Sequence, residues 1–523
     1  MSKLAKVAVS SLLVFVAACT GSSGGDEQSA EREAQTDACP PTGDVSKDGT
    51  FTWMYSVDNT SFDPNKITTN NSNMYLYPIY DSLVHVDEQG EPQPMLAESW
   101  EVVDGGAVLE MKLISGWTYH DGTPFDAESV VANIERSKEA GSFNENALEI
   151  VTGVEAVDET TVRFETDGAA GALVGVLGGS AGMMMSPEAF DKPGEDIKPT
   201  GGSGAFEMSK YVPGSRVEYT AVEDYWDPEA ANIKKLVFLI SDDDNARLNA
   251  VSTGAADSTF LRASMYQPAK DAGLVVCEEP SLSMYTINLN TSRSEFGNAK
   301  VREAINHAIN REAVAAVTDG FCKPGVQMFP TFYFASNPDI GPERYAHDPE
   351  KAKQLLSDAG LEQGFSFDLE VVNLELYQQI AEVIQANLAE VGVKMSITPV
   401  DLTVLGEHFS VNKSADAILF EQKAETDPSM MTLAYYLDDG FNNPGGWSSE
   451  KVTELNTKAM QGATPEERAP AYAELFKAIT DEVAPNVTLC HLTTPLVMND
   501  KVKGVEIYAD ASRQFRGVAI DPN

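Results

Sequence analysis

The chain has 523 residues, too many for one hydrophobic core, since single cores stop growing near ~250–300 residues; two or three domains are expected. With 42% hydrophobic and 22% charged residues, its composition is that of a globular protein. A formal net charge of −43 argues against nucleic acid or an anionic membrane surface as partner.

The N-terminus reads as a targeting segment. Lys3 and Lys6 precede an apolar run over residues 7–18, broken only by Ser10 and Ser11. A run of about a dozen residues is too short to cross ~30 Å of hydrocarbon, but it suits the core of a signal peptide. Val16-Ala17-Ala18-Cys19 resembles the bacterial lipobox, which implies a lipidated Cys19 as the first mature residue and a membrane anchor outside the cell. Residues 20–47 are polar, rich in small residues and without periodicity, as a flexible tether is. The remaining cysteines, Cys39, Cys277, Cys322 and Cys490, permit two disulfides in three connectivities, and spacing does not choose among them.

Strands and helices then mix throughout, the pattern of an α/β chain. Strands are expected at residues 51–57, 106–116, 160–166, 214–226 and 233–241. Between the first two, Tyr75, Ile79 and Leu83 have helical spacing. The triplet Asp242, Asp243, Asp244 precedes a helix with Leu248 and Val251 on one face, closed by Gly254; it lacks the alternating ligand pattern of a calcium loop and reads as a cap. A strand at residues 283–290 leads to one helical stripe through Val301, Ile305 and Ile309, ending at Gly320. Asp348 followed by Pro349 opens a further helix, and strand, helix and strand are expected at 365–372, 377–393 and 394–400. A last strand at 415–421 and a helix at 467–483, despite Pro470, complete the pattern.

The stretch GWTYHDGTPFDAESVVANIERS, residues 116–137, tests for catalysis, because it puts His120 beside Asp121 and adds further carboxylates. Trp117 and Tyr119 share a strand face, Asp121-Gly122 is a turn pair, and Asp126 stands where a helix N-cap belongs. Every acidic residue thus has a structural task. The other histidines, His85, His307, His347, His408 and His491, are isolated in sequence, and no HExxH, GxSxG or GxxxxGK[ST] occurs. The Gly-rich stretches at 178–182 and 199–206 lack dinucleotide spacing; the second reads as a bend between domains. Met183, Met184 and Met185 read as strand core. No enzyme, cofactor or metal site is expected.

Several segments, in order, resemble the large extracytoplasmic solute-binding proteins of bacterial ABC importers, family 5, the oligopeptide-, dipeptide- and nickel-binding lipoproteins. They are IYDSLVHVDEQGEPQPMLAESWEV (79–102), GWTYHDGTPFDAESVVANIER (116–136), GSGAFEMSKYVPGSRVEYTAVEDYW (202–226), NARLNAVSTGAAD (245–257), VREAINHAINREAV (301–314) and HDPEKAKQLLSDAG (347–360). The resemblance runs from about residue 51 to the C-terminus. It implies a bilobal α/β fold of the periplasmic-binding-protein type, class II, in the large three-domain cluster, with a ligand cleft between lobes. Its domains would be a signal peptide at 1–18, lipidated Cys19 and tether at 19–47, domain I in three parts at 48–90, 201–280 and 491–523, domain II inserted at 91–200, and domain III at 281–490, with a hinge around 277–280. It also implies a monomer that holds a small-molecule or peptide ligand and serves an ABC permease and ATPase complex.

The ligand is less legible. Peptide-binding members grip a free amino group with an acidic residue in a W-x-x-D stretch; here Glu421 takes the tryptophan position and Ala424 the acidic one. On a strand, the adjacent Glu425 would point to the opposite face, though a loop would rescue it. Glu421, Lys423, Glu425 and Asp427 are therefore candidates for a cation or for polar groups, and Trp447 for stacking on a ligand. Asn70, Asn71 and Asn73 on the first loop, with Tyr285, Asn288 and Asn290 on the strand opening domain III, lie in regions that face the cleft in the family. A sugar would need stacked aromatics, and a nickel complex a histidine, for which His408 is the nearest candidate. The expected function is delivery of a di- or oligopeptide, or a similar polar solute; the alternatives are a metal chelate, sugar or cationic small molecule, or a peptide-sensing or chaperone receptor.

Overall fold

A computed structural model describes residues 47–522 except 60, 191–200, 319, 424 and 426. All of these lie in one unit, Pro40–Asn523. The signal segment, Cys19 and Cys39 lie outside the described residues, as does Ala424.

Phe51, Trp53 and Tyr55 alternate into the core from the strand Thr50–Tyr55, as period-2 patterning requires. This strand pairs in parallel with Lys235–Ile240 and with the short Ser258–Thr259. Lys235–Ile240 pairs antiparallel with Arg216–Ala221, which pairs with Phe206–Val212. These strands form one end of an eleven-stranded sheet. The other end is built from Ala417–Gln422, Ser366–Val372 and Lys394–Val400, mutually parallel.

Two long strands join the ends. Val275–Leu289 and Asn486–Met498 run antiparallel from Val275 opposite Met498 to Asn288 opposite Asn486. Asn486–Met498 reaches back to Ser258–Thr259, and Val275–Leu289 reaches forward to Ala417–Gln422. Among the described residues, this pair links the two halves of the sheet. Their register breaks between Pro280 and Met284, three residues beyond Cys277. Cys322 and Cys490 form a disulfide across the edge strand Cys322–Pro324 and Asn486–Met498, which selects one pairing among those the sequence left open. Cys277 is disulfide-bonded as well.

Inserted after the first strand is a four-stranded antiparallel sheet of Ala97–Val103, Val108–Leu113, Thr161–Thr166 and Val151–Asp158. The helix Ala127–Ser137 packs on it through Val130 and Ile134. Asp126 caps this helix: its carboxylate accepts from Ser129 N–H at 2.8 Å, and Ser129 Oγ accepts from Asp126 N–H at 3.2 Å.

The sequence expectations needed correction in four places. Helical spacing over Tyr75, Ile79 and Leu83 yields only the α-turn Asn73–Leu76, because Pro78 interrupts it; all three side chains are nevertheless buried. The single stripe through Val301, Ile305 and Ile309 is two helices, Ala299–Ala308 and Arg311–Ala316. Ile309 is extended there, and Asn310 caps the second helix by accepting from Ala313 N–H at 3.0 Å. Trp117 and Tyr119 lie not on a strand but on a turn closed by a lone Thr118–Pro124 bridge. Met183, Met184 and Met185 are buried without belonging to a strand.

Candidate ligand-binding cavity

A cavity of about 250 Å³ is lined by residues from both ends of the chain and from the segments between them. Each wall comes from a different part of the chain. The turn after the first strand supplies Asn71, Asn73 and Tyr77; the inserted segment supplies Asn144 and Ser180; the second lobe supplies Lys423, Glu425 and Met430. Asp510, Ser512 and Arg513 come from the C-terminal segment.

That last segment is held by its neighbours. Phe515 is buried against Phe51, Trp53 and Phe238, with ring centroids 5.2–5.4 Å apart. Arg516 pairs with Asp227 at 2.5 Å and lies 3.6 Å from the buried Asp81, which also accepts from Trp226 Nε1 at 2.9 Å. Anchored in this way, Arg513 lays its guanidinium over Phe260 at 5.2 Å, Tyr55 at 5.7 Å and Trp53 at 5.9 Å. Such cation–π contacts hold the cation in place without neutralising it. Its NH1 donates to the Ala511 carbonyl at 3.0 Å.

Both signs of charge line the cavity. Lys423 and Arg513 are cationic; Glu425 and Asp510 are carboxylates. Burial pushes the Asp510 carboxyl up, against the Ser512 N–H (2.8 Å) and the Arg513 charge. Burial and the Asp510 carboxylate raise the Tyr77 phenol well above its ordinary range. Lys423 Nζ donates to Asn71 Oδ1 at 3.4 Å. Asn73 is 8% exposed, and among the described residues its Oδ1 finds no hydrogen-bond donor. A buried amide oxygen with no partner is costly, so a donor on a bound molecule would satisfy it.

The structure therefore brings Asn71, Asn73, Lys423 and Glu425 together. Glu425 reaches the cavity because the strand ends at Gln422, so strand alternation no longer governs it. The side chain of Asn70 lies outside the description. The remaining candidates do not line the cavity. Asp427 is buried, accepts from Arg468 at 2.6 and 2.9 Å and caps the helix Pro428–Tyr436. Glu421 lies on the strand opposite Tyr285, and Tyr285 packs edge-on to Tyr377 at 5.5 Å. Asn288 accepts from Asn486, and Asn290 donates to the Lys413 and Ala415 carbonyls. Trp447 packs on Tyr436 at 6.1 Å.

His120 is structural. Its Nε2 is 2.8 Å from the Gly204 carbonyl, and its N–H donates to the Gly202 carbonyl at 2.8 Å. Asp121 accepts from Thr123 N–H at 3.0 Å, closing the turn. The glycines at 202 and 204 lie so close to Ile79 and Pro78 that a Cβ at either would overlap their backbone. This stretch is a packed seam. His408 pairs with Glu370 at 2.9 Å, away from the cavity.

Residues 91–444 match the model for bacterial extracellular solute-binding proteins, family 5. The chain belongs to this family. Its members are solute-binding proteins, and no described helix of this one is long and apolar enough to cross a membrane. The glutathione-binding protein GsiB of Escherichia coli O1:K1 is 30% identical over 353 residues, which are 65% of this chain and 68% of that one. Among solved structures, this solute-binding protein resembles the DppA binding protein of Helicobacter pylori in complex with the peptide STSA. The TM-score is 0.75 at 24% identity, covering 91% of this chain and 99% of that one. It also resembles NikZ of Campylobacter jejuni in complex with Ni(L-His), with a TM-score of 0.72 at 20% identity, covering 90% and 98%. These likenesses establish the two-lobed binding-protein fold.

Proposed function

We propose that this protein captures a short peptide or peptide-like zwitterion and delivers it to an ABC permease. The observation that carries the reading is charge of both signs on one cavity of about 250 Å³. A molecule carrying an ammonium and a carboxylate matches this set: Glu425 and Asp510 would take the ammonium, Lys423 and Arg513 the carboxylate, each of the two segments supplying one group of either sign. The cavity's amides, Asn71, Asn73 and Asn144, suit the peptide groups between, since side-chain amides both donate and accept. Relatives that bind glutathione and a tetrapeptide support the same class of solute. A chelated metal is less well matched, because no imidazole is among the lining residues.

On this reading, the protein is anchored through a lipid on Cys19, works as a monomer, and has domains I, II and III within the boundaries expected from the sequence. The pair Val275–Leu289 and Asn486–Met498 would be the path about which the lobes close on the solute. Calorimetry of the purified protein with glutathione, with di- and tripeptides, and with nickel–histidine tests it. Binding of one or more of the peptides, with affinity lost when its amino or carboxyl terminus is blocked, is expected. Binding of nickel–histidine with silence toward every peptide would overturn the reading.

A further inference from the structure

Away from the cavity, the two lobes meet a second time. The turn at residues 460–462 links the helices Glu450–Ala459 and Pro465–Asp481 of the second lobe. It sits on the inserted segment of the first lobe, at the helix Ala170–Val176. Ala172 N–H donates to the Met460 carbonyl at 3.2 Å. As the third residue of its helix, Ala172 has no acceptor within that helix, so the opposite lobe supplies one. Arg468 NH1 donates to the Gly171 carbonyl at 3.3 Å.

The fit is close because side chains are missing where the surfaces touch. A Cβ at Gly106 would lie 3.1 Å from Gln461 Cβ and Cγ, and one at Gly171 would overlap the Gly462 carbonyl. Gly171 has ordinary helical backbone angles, so its conformation would accept alanine. The contact with the other lobe is what demands glycine there.

Arg468 connects this contact to the cavity wall. Its Nε donates to the Ala459 carbonyl at 2.8 Å, at the start of the 460–462 turn. Its NH1 and NH2 hold both oxygens of Asp427, and NH2 also donates to Tyr472 Oη at 3.0 Å. Asp427 caps the helix that carries Met430 of the cavity and stands two residues from Glu425. One buried guanidinium thus touches the opposite lobe, the closing turn and the foot of the cavity wall.

We propose that the 460–462 turn seated on Gly171 is a latch holding the lobes closed, and that Arg468 is a positioning residue coupling that latch to the cavity wall. The proposal rests on the two-lobed binding role, but not on which solute is bound. The latch consists of two hydrogen bonds and a flat glycine contact, few enough to break and re-form as lobes part.

The test uses the full chain with Gly171→Ala and, separately, Ala172→Pro, which removes the donor in the first helical turn and adds a ring at a buried position. Hydrogen exchange over residues 459–462, small-angle scattering and calorimetry with glutathione are measured beside thermal melting. In either variant, exchange at 459–462 should rise about tenfold and the radius of gyration should increase, with melting of the core strands little changed. Glutathione, if it binds the wild type, should bind about tenfold more weakly. Wild-type exchange and scattering in whichever variant folds would overturn the latch. A wild type that ignores glutathione bears on the solute alone, because exchange and scattering still decide the latch.

Discussion

Lys423 Nζ and Asn71 Oδ1 meet at 3.4 Å, joining the wall of one lobe to the wall of the other across the cavity. The lysine is exposed and the bond is long, so it adds little to folding. Its charge is available to a solute carboxylate. Lys423→Met should weaken glutathione or peptide binding by roughly 1 kcal/mol, about fivefold. The loss should shrink as salt is added, and the melting temperature should stay near that of the wild type. Calorimetry at two ionic strengths checks both.

Arg513 is held differently, by three aromatic rings rather than by an acid, so its positive charge is preserved and its orientation is fixed. Arg513→Gln should cost about 2 kcal/mol of affinity, roughly thirtyfold, for a ligand with a free carboxylate. A ligand amidated at that end should lose much less. Arg513→Lys should not restore binding, because an ammonium lacks the planar fork that stacks on these rings. Titration of the three proteins with free-acid and amidated peptides distinguishes anchoring from general damage.

The Cys322–Cys490 bond closes a separation of 168 residues next to the strand pair joining the lobes. Replacing both cysteines by alanine should lower stability by about 2–4 kcal/mol, chiefly by freeing the unfolded chain. A lower urea midpoint with a steeper slope is the expected signature, because the freed unfolded chain exposes more surface.

Local signals in the sequence were read well where one residue decides. Asp126, Asp243 and Asp348 each cap the helix expected after them. Asn310 is the same kind of signal, set inside a continuous apolar stripe; Arg311 shows why the break holds. Its guanidinium donates to the carbonyls of Asn306, Gly325 and Thr488, contacts no local pattern contains. The cavity divided in the same way. Asn71, Asn73, Lys423 and Glu425 were nameable from the family resemblance. Asp510 and Arg513 were not, because residues 510–513 belong to no helix or strand and reach the cavity only through the burial of Phe515 and the Arg516 ion pairs. Trp447 packs on Tyr436 and Tyr285 on Tyr377 rather than lining the cavity; an aromatic near a cleft in sequence has the same appearance whether it faces ligand or core.

Two histidines predict how the fold responds to acid. Burial holds His491 down at about 4, against the opposing Gln327 and Met328 backbone groups, and holds His85 at about 4, aided by the Arg516 charge. Unfolded, each would take a proton near the ordinary 6.5. The unfolded chain therefore binds more protons between 6.5 and 4, so stability is full above this window and falls as pH drops through it. His491→Gln, which keeps a donor for the Gln327 carbonyl 3.1 Å away, should flatten part of that fall. Urea midpoints at a series of pH values through the window measure it.

Asp510 has the opposite sign. Burial raises its carboxyl above the ordinary 3.8, so the native state keeps this proton to higher pH than the unfolded chain does. Stability contributed by the site is present below 3.8 and is lost as pH rises through the raised value. Above the ordinary 3.8, where the unfolded chain gives up this proton freely, the buried carboxyl is a cost to the fold. Asp510→Asn should accordingly raise the melting temperature at pH 7, and the gain should vanish below pH 3.8, where the wild-type group is itself neutral. The same change should weaken binding of peptides with a free amino group while sparing N-acetylated ones. Gain of stability joined to loss of that discrimination would mark Asp510 as a residue kept for the ligand rather than for the fold. A variant that is less stable at neutral pH, or that binds both ligands as the wild type does, would show instead that the carboxylate is held by its Ser512 contact for structural reasons.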